Sequence, residues 1–201
     1  MPKRPWYVTL ALIGTFLLAI GAGVESCERV RHYQGGEAKI EASDIRDEAM
    51  RTRVRQRGED VLESLYAHRK TSYPLHVALF LVSAAMATFS MRVLVSKSFG
   101  RTLLVQLVGV QAALMVARHF VERETREAEF EYARARTEAT YVIAGRNTRD
   151  VDLGVKLIRA ATPIYLGFRT FVSLLIIAAL LERKARIALD VTGADESRSE
   201  V

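Results

Sequence analysis

The sequence predicts an all-α membrane protein. Four transmembrane helices form a tandem 2+2 repeat, and the two long connections between them are amphipathic extramembrane helices. Three observations carry this reading. Half of the 201 residues are hydrophobic and 26% are charged, yet the two classes are segregated along the chain. Four apolar stretches stand out, and crossing a hydrocarbon core takes about 20 predominantly apolar residues. Short blocks also recur in chain order. Val30-Arg31-His32-Tyr33 returns as Ala117-Arg118-His119-Phe120, and Glu37-Ala38-Lys39-Ile40-Glu41 as Glu127-Ala128-Glu129-Phe130-Glu131. Asp60-Val61 returns as Asp150-Val151, and the segment starting at Pro74 returns at Pro163. The offsets are 87, 90, 90 and 89 residues, and a fixed period sets architecture before any motif does.

The first stretch, Trp6 to Val24, carries no charge and follows Lys3 and Arg4. A cleaved signal peptide is the competing reading, because Val24-Glu25-Ser26-Cys27 has the outline of a lipoprotein box. Glu25 fits that box poorly, and the run exceeds the about 7–15 apolar residues of a signal core. The repeat also pairs this stretch with the third one, which cannot be a signal. A first crossing is therefore expected. Gln34-Gly35-Gly36 breaks the chain after it. From Glu37 to Lys70, Ile40, Ile45, Ala49, Val54, Val61, Leu62 and Leu65 recur at helical spacing between charges, the pattern of an amphipathic helix. Gly58 is expected to interrupt that helix, and Pro74 to mark entry into the second crossing, Thr71 to Met91.

A short basic link holding Arg92, Lys97 and Arg101 leads to the third crossing. Thr102 to Ala117 is uncharged but short, so Arg118 and His119 are expected to snorkel to the interface. Phe120, Glu127, Phe130 and Arg134 continue into a charged helix that stops near Gly145-Arg146-Asn147, where Gly and Asn suit a helix end. A short amphipathic piece, Asp152 to Ala161, then returns through Pro163 to the fourth crossing, Ala160 to Leu181. The units so defined are 5–95 and 96–186. A disordered cytoplasmic tail, 187–201, follows, rich in Asp, Glu and Ser. Ala19 with Gly23, and Gly109 with Ala113, set small residues four apart, which suits close contact between the first and third crossings.

The net charge of +6 points to nucleic acid only when it forms one soluble basic patch. Here the basic residues sit on membrane flanks and in acid-rich connections, so no nucleic-acid partner is expected. The short basic segments at Lys3-Arg4, Arg92 to Arg101, and Arg183-Lys184-Arg186 place both termini in the cytoplasm of a multi-pass plasma (inner) membrane protein. Both long connections then lie outside. The single Cys27 excludes an intrachain disulfide, although a bridge between two copies is open to it.

Arg169 is the sharpest anomaly. It lies about 15 Å from either end of its apolar helix, where insertion of an arginine costs about 2.5–3.5 kcal/mol. The equivalent position in the first unit is Phe80. Two readings stand side by side. In one, Arg169 faces the bundle interior with a partner among Gln111, Glu25, Glu28 and Glu122. In the other, a tilted helix lets it snorkel outward. Gln106 and Gln111 are the other intramembrane polar candidates.

All four histidines fall on the outer side or its interface. His76 and His119 are equidistant from Lys97-Ser98 and share a depth in a hairpin, so the two imidazoles could ligate haem or a metal. Glu122 follows His119 at i+3, on the same helix face. His32, equivalent to His119 in the repeat, completes an outer-interface cluster with His76, His119, Glu122 and Glu25. No spacing here is that of a metal motif, and no cofactor is expected. Phosphate loops, nucleophile elbows and zinc-protease helices are missing from the sequence. The expected function is therefore non-enzymatic: an accessory or scaffold subunit that binds a protein partner, or a second copy of itself, through its external helices and bundle. An oligomeric transporter or channel for an anion or small solute, lined by Arg169, Gln106 and Gln111, is the first alternative. A haem- or metal-binding membrane protein is the second.

Overall fold

A computed structural model describes residues 5–34, 42, 44–96, 101–145, 148–185, 187 and 189. Its long elements are six α-helices: α1 (Trp6–Tyr33), α2 (Glu48–Ala67), α3 (Arg69–Ser96), α4 (Arg101–Val121), α5 (Arg123–Ile143) and α6 (Arg149–Leu181). No strand occurs among the described residues. Four helices, α1, α3, α4 and α6, are long and apolar enough to cross a membrane. The Lys3-Arg4 flank, the Gly35-Gly36 break, the Glu37–Glu41 repeat block, the Lys97-Ser98 link, Arg146-Asn147 and nearly all of the tail lie outside the described residues.

The chain divides into two compact units. The first is built from Met1–Arg29, Leu75–Val116 and Gly167–Val201, and holds most of the four spans. The second is built from Val30–Pro74 and Ala117–Leu166, and holds α2 and α5.

Within the first unit, the buried positions follow a seven-residue rule. On α1 they are Val8, Leu12, Thr15, Ala19, Ala22 and Ser26, with Ala11 buried beside Leu12, and on α3 they are His76, Leu79, Ser83, Met86, Ser90 and Val93. On α4 they are Leu104, Val108 and Gln111, and on α6 Arg169, Ser173, Ile176 and Leu180. Apart from Ala11, spacings alternate between four and three, the period of a coiled-coil-type seam. Small residues recur along the seam, at Thr15, Ala19, Ala22, Ser26, Ser83, Ser90 and Ser173, and let backbones approach where no hydrophobic effect drives helices together. Val8, Leu12, Met86, Leu104, Val108, Ile176 and Leu180 form an apolar cluster drawn from all four spans. The outward faces are apolar too. Leu10, Ile13, Leu17, Ile20 and Val24 form an exposed stripe on α1, as do Phe168, Phe171 and Leu175 on α6. Polar groups on the seam sit among buried apolar ones while the outward faces are apolar, a distribution that suits a hydrocarbon surround.

The second unit is an antiparallel packing of α2 on α5. Ala42, Ile45, Val54, Ala135 and Ala139 form its core, with Met50 and Tyr132 against it. Ion pairs and hydrogen bonds keep the register. Arg53 pairs with Glu138 at 3.4 Å, Ser64 Oγ lies 3.0 Å from Thr125 Oγ1, and His68 lies 3.4 Å from Glu124. Asp47 caps α2 by accepting from the Met50 amide at 2.9 Å, satisfying one of the first-turn donors. Helix α5 ends where Gly145 takes φ +64°, a left-handed stop that glycine adopts without a Cβ penalty.

Several local expectations are corrected. Gly58 does not interrupt α2 but is buried inside it. Of the expected apolar stripe on this connection, Ile45, Val54 and Leu65 are buried, while Ala49 is exposed. The Asp152–Ala161 piece is not separate from the fourth crossing: α6 runs unbroken from Arg149 through Pro163. Pro74 likewise lies inside α3 rather than at its entry. A proline deletes one backbone bond, and the freed carbonyl finds other partners in membrane helices. The continuation of α4 into α5 bends at Glu122, although the Glu122 amide still donates to the Arg118 carbonyl at 2.9 Å. A second bend lies at His68, between α2 and α3.

Candidate functional site in the span interior

The seam residues place one polar layer inside the first unit, with a contribution from each span. On α4, Gln111 is the midpoint of a 21-residue helix, about 15 Å from each end at 1.5 Å per residue. Its Nε2 donates to Ser83 Oγ at 2.8 Å. Ser83 stands at the middle of α3. Gly23 of α1 faces Ser83 so closely that a Cβ there would lie 3.5 Å from the serine Cβ. Two residues on, Glu25 Oε2 lies 3.5 Å from Arg169 Nη1. Arg169 is 5% exposed, and its backbone carbonyl accepts from Ser173 Oγ at 3.0 Å. Glu25 is the less buried partner, with 41% of its side chain exposed.

The chemistry of the layer follows from the medium. A guanidinium in hydrocarbon needs a carboxylate or carbonyls around it, and Glu25 supplies the first. A serine hydroxyl and a carboxamide satisfy one another where no water is at hand. The pairing of Arg169 with Glu25 across α6 and α1 differs from an outward snorkel, which would leave the arginine on the exposed face.

The remaining candidates separate. Gln106 is on the exposed face of α4, and His32 is exposed near the end of α1. His76 is fully buried on the α3 seam of the first unit. His119 and Glu122 belong to the second unit. Among the described residues, no group of three or more His, Cys, Asp or Glu comes together as a metal site. The expected contact of the first and third crossings through small residues is replaced: Gly23 meets Ser83 of α3, while Gly109 has nothing within 4 Å.

In the second unit, Glu122 is 3% exposed at the α4–α5 bend. Its carboxylate pairs with Arg118 Nε at 3.2 Å. Arg126 donates to the His119 carbonyl. Burial pulls the Arg126 guanidinium below its ordinary value, and the Glu122 carboxylate opposes that shift. The bend is thus filled by one carboxylate serving two arginines.

Sequence reasoning missed Ser83, Thr15, Ser90 and Ser173. The signal was present: hydroxyl residues at four–three spacing inside apolar runs mark the inward face of a membrane helix as surely as apolar residues mark it in water. No protein-family model matches this chain, and no curated protein or solved structure is similar to it.

Proposed function

We propose that this chain is a multi-pass plasma-membrane accessory or scaffold subunit, non-enzymatic and without a cofactor, that binds a protein partner through its external helices. The observation that carries this reading is the apolar surface of the second unit. Val142 and Ile143 at the end of α5, and Leu153, Leu157 and Ile158 at the start of α6, are all exposed. Arg134 pairs with Asp152 at 2.7 Å, which sets these residues at the loop end of the α5–α6 pair. Large exposed apolar patches rimmed by charge mark interaction surfaces. The polar layer acts as the bundle's internal fastening. The repeated blocks support an origin by duplication of one helix–connection–helix unit.

The test is affinity isolation from membranes in mild detergent, with mass and absorbance read on the same complex. The wild type is expected to bring down a stoichiometric protein partner, and Leu153→Glu with Leu157→Glu to lose it while remaining monodisperse. A wild-type complex containing only lipid and single copies of this chain contradicts the reading. A Soret band would replace it with the haem alternative, and flux lost in Arg169→Leu with intact expression would replace it with the transporter.

The orientation, termini inside and connections outside, has its own test. In a Cys27→Ser background, Glu48→Cys introduces a thiol at an exposed position of α2. A membrane-impermeant maleimide is expected to label it in intact cells. Labelling only after permeabilisation reverses the orientation.

A further inference from the structure

We infer that a cleft in the second unit binds a phosphate oxyanion, as carried by an anionic lipid headgroup or by free phosphate. The cleft has a volume of about 270 Å³, and its lining includes Arg123, Arg126 and Arg159, one carboxylate, Glu127, and the rings of Phe120 and Phe130. That is smaller than the about 300–1,000 Å³ of drug-sized pockets, so it takes a compact group. The three arginines are not equivalent. Arg159 is held by Glu127 at 2.7 Å and Glu131 at 3.3 Å, and its guanidinium lies 5.6 Å from the centre of the Phe130 ring. It forms a wall. Arg126 reaches the His119 carbonyl through Nη2, leaving other donors of its five. Arg123 is exposed and enters no ion pair among the described residues. Two guanidinium groups three residues apart on α5 therefore present planar forks into one cleft, the geometry that recognises phosphate oxygens bidentately.

Position favours the lipid source. Phe120 is 71% exposed and stands one residue from the end of the α4 span, where aromatic rings settle at the headgroup level. An arginine fork beside an exposed phenyl ring matches a phosphate with the glycerol and upper acyl chain behind it. This assignment of source rests on the membrane reading above, whereas the oxyanion chemistry does not.

The experiment titrates the full chain, purified in detergent, with phosphatidylglycerol, with phosphatidylcholine and with inorganic phosphate, and reads bound species by native mass spectrometry. Arg123→Ala and Arg123→Glu are the variants, because an exposed arginine without an ion pair can be changed without disturbing the fold. Wild type is expected to hold phosphatidylglycerol about tenfold more tightly than Arg123→Ala, the loss of one charge-assisted pair, and Arg123→Glu to lose it further. That result with weak inorganic phosphate assigns the headgroup. Inorganic phosphate bound as tightly, with the same dependence on Arg123, supports the oxyanion site and assigns the free anion. Retention of every ligand unchanged in both variants overturns the site. A chain that stays in solution without detergent refutes the membrane reading separately and leaves the phosphate arm to stand or fall alone.

Discussion

Glu25→Ala is expected to destabilise the bundle by about 2–4 kcal/mol, read as unfolding in mixed detergent micelles. The reason lies with Arg169. It is 5% exposed, and the substitution removes the carboxylate 3.5 Å from its Nη1. A buried charge deprived of its counter-charge is far costlier than a pair that was never built. The partial exposure of Glu25 keeps the figure below the extreme. Arg169→Leu alone removes the more buried of the two charges and leaves the less buried one, so its cost should be smaller. The double variant Glu25→Leu with Arg169→Leu should recover most of the stability, because apolar side chains of similar volume suit the interior at least as well. Near-additive losses in the double variant would remove the ion pair from this account.

The second large effect is expected at Glu122. Glu122→Ala should cost about 3–5 kcal/mol. The residue is 3% exposed and sits 3.2 Å from Arg118. Its charge also offsets the burial of Arg126. Removing it leaves two guanidinium groups near each other at the α4–α5 bend without that carboxylate. Glu122→Gln keeps the volume and a hydrogen-bond acceptor, so it isolates the charge. If glutamine restores full stability, the bend is held by hydrogen bonding and shape, and the electrostatic reading fails.

Four helices long and apolar enough to cross a membrane were legible because hydrocarbon punishes charge over a length that can be counted. Arg169 was legible as an anomaly for the same reason. Its partner was not. Four candidates lay within reach on sequence, and choosing Glu25 required the relative depth of α1 and α6, which no single-helix pattern contains. The bends at His68 and Glu122 were invisible, since neither carries glycine or proline and both keep helical hydrogen bonds across them. Pro74, Pro163 and Gly58 misled in the opposite direction. Each is a breaker by propensity, yet each sits inside a continuous helix, where one lost backbone bond or a missing side chain is offset by packing. The inward faces were hidden because a hydrophobic-periodicity rule looks for apolar seams. In these spans the seam also holds Ser83, Ser90, Thr15, Gln111 and Ser173 between its apolar residues.

That mixed seam is the central claim, and Gly23 with Ser83 tests it most directly. The two face each other at a Cβ spacing of 3.5 Å, within the about 3.5–4.5 Å a disulfide requires. In a Cys27→Ser background, mild oxidation of the Gly23→Cys, Ser83→Cys protein in membranes should close an intramolecular bridge. The control pair Gly21→Cys, Ser83→Cys should not, because Gly21 has nothing within 4 Å. Bridging by the first pair alone is the predicted result. Equal bridging by both pairs, or by neither, contradicts a bundle closed on its polar seam.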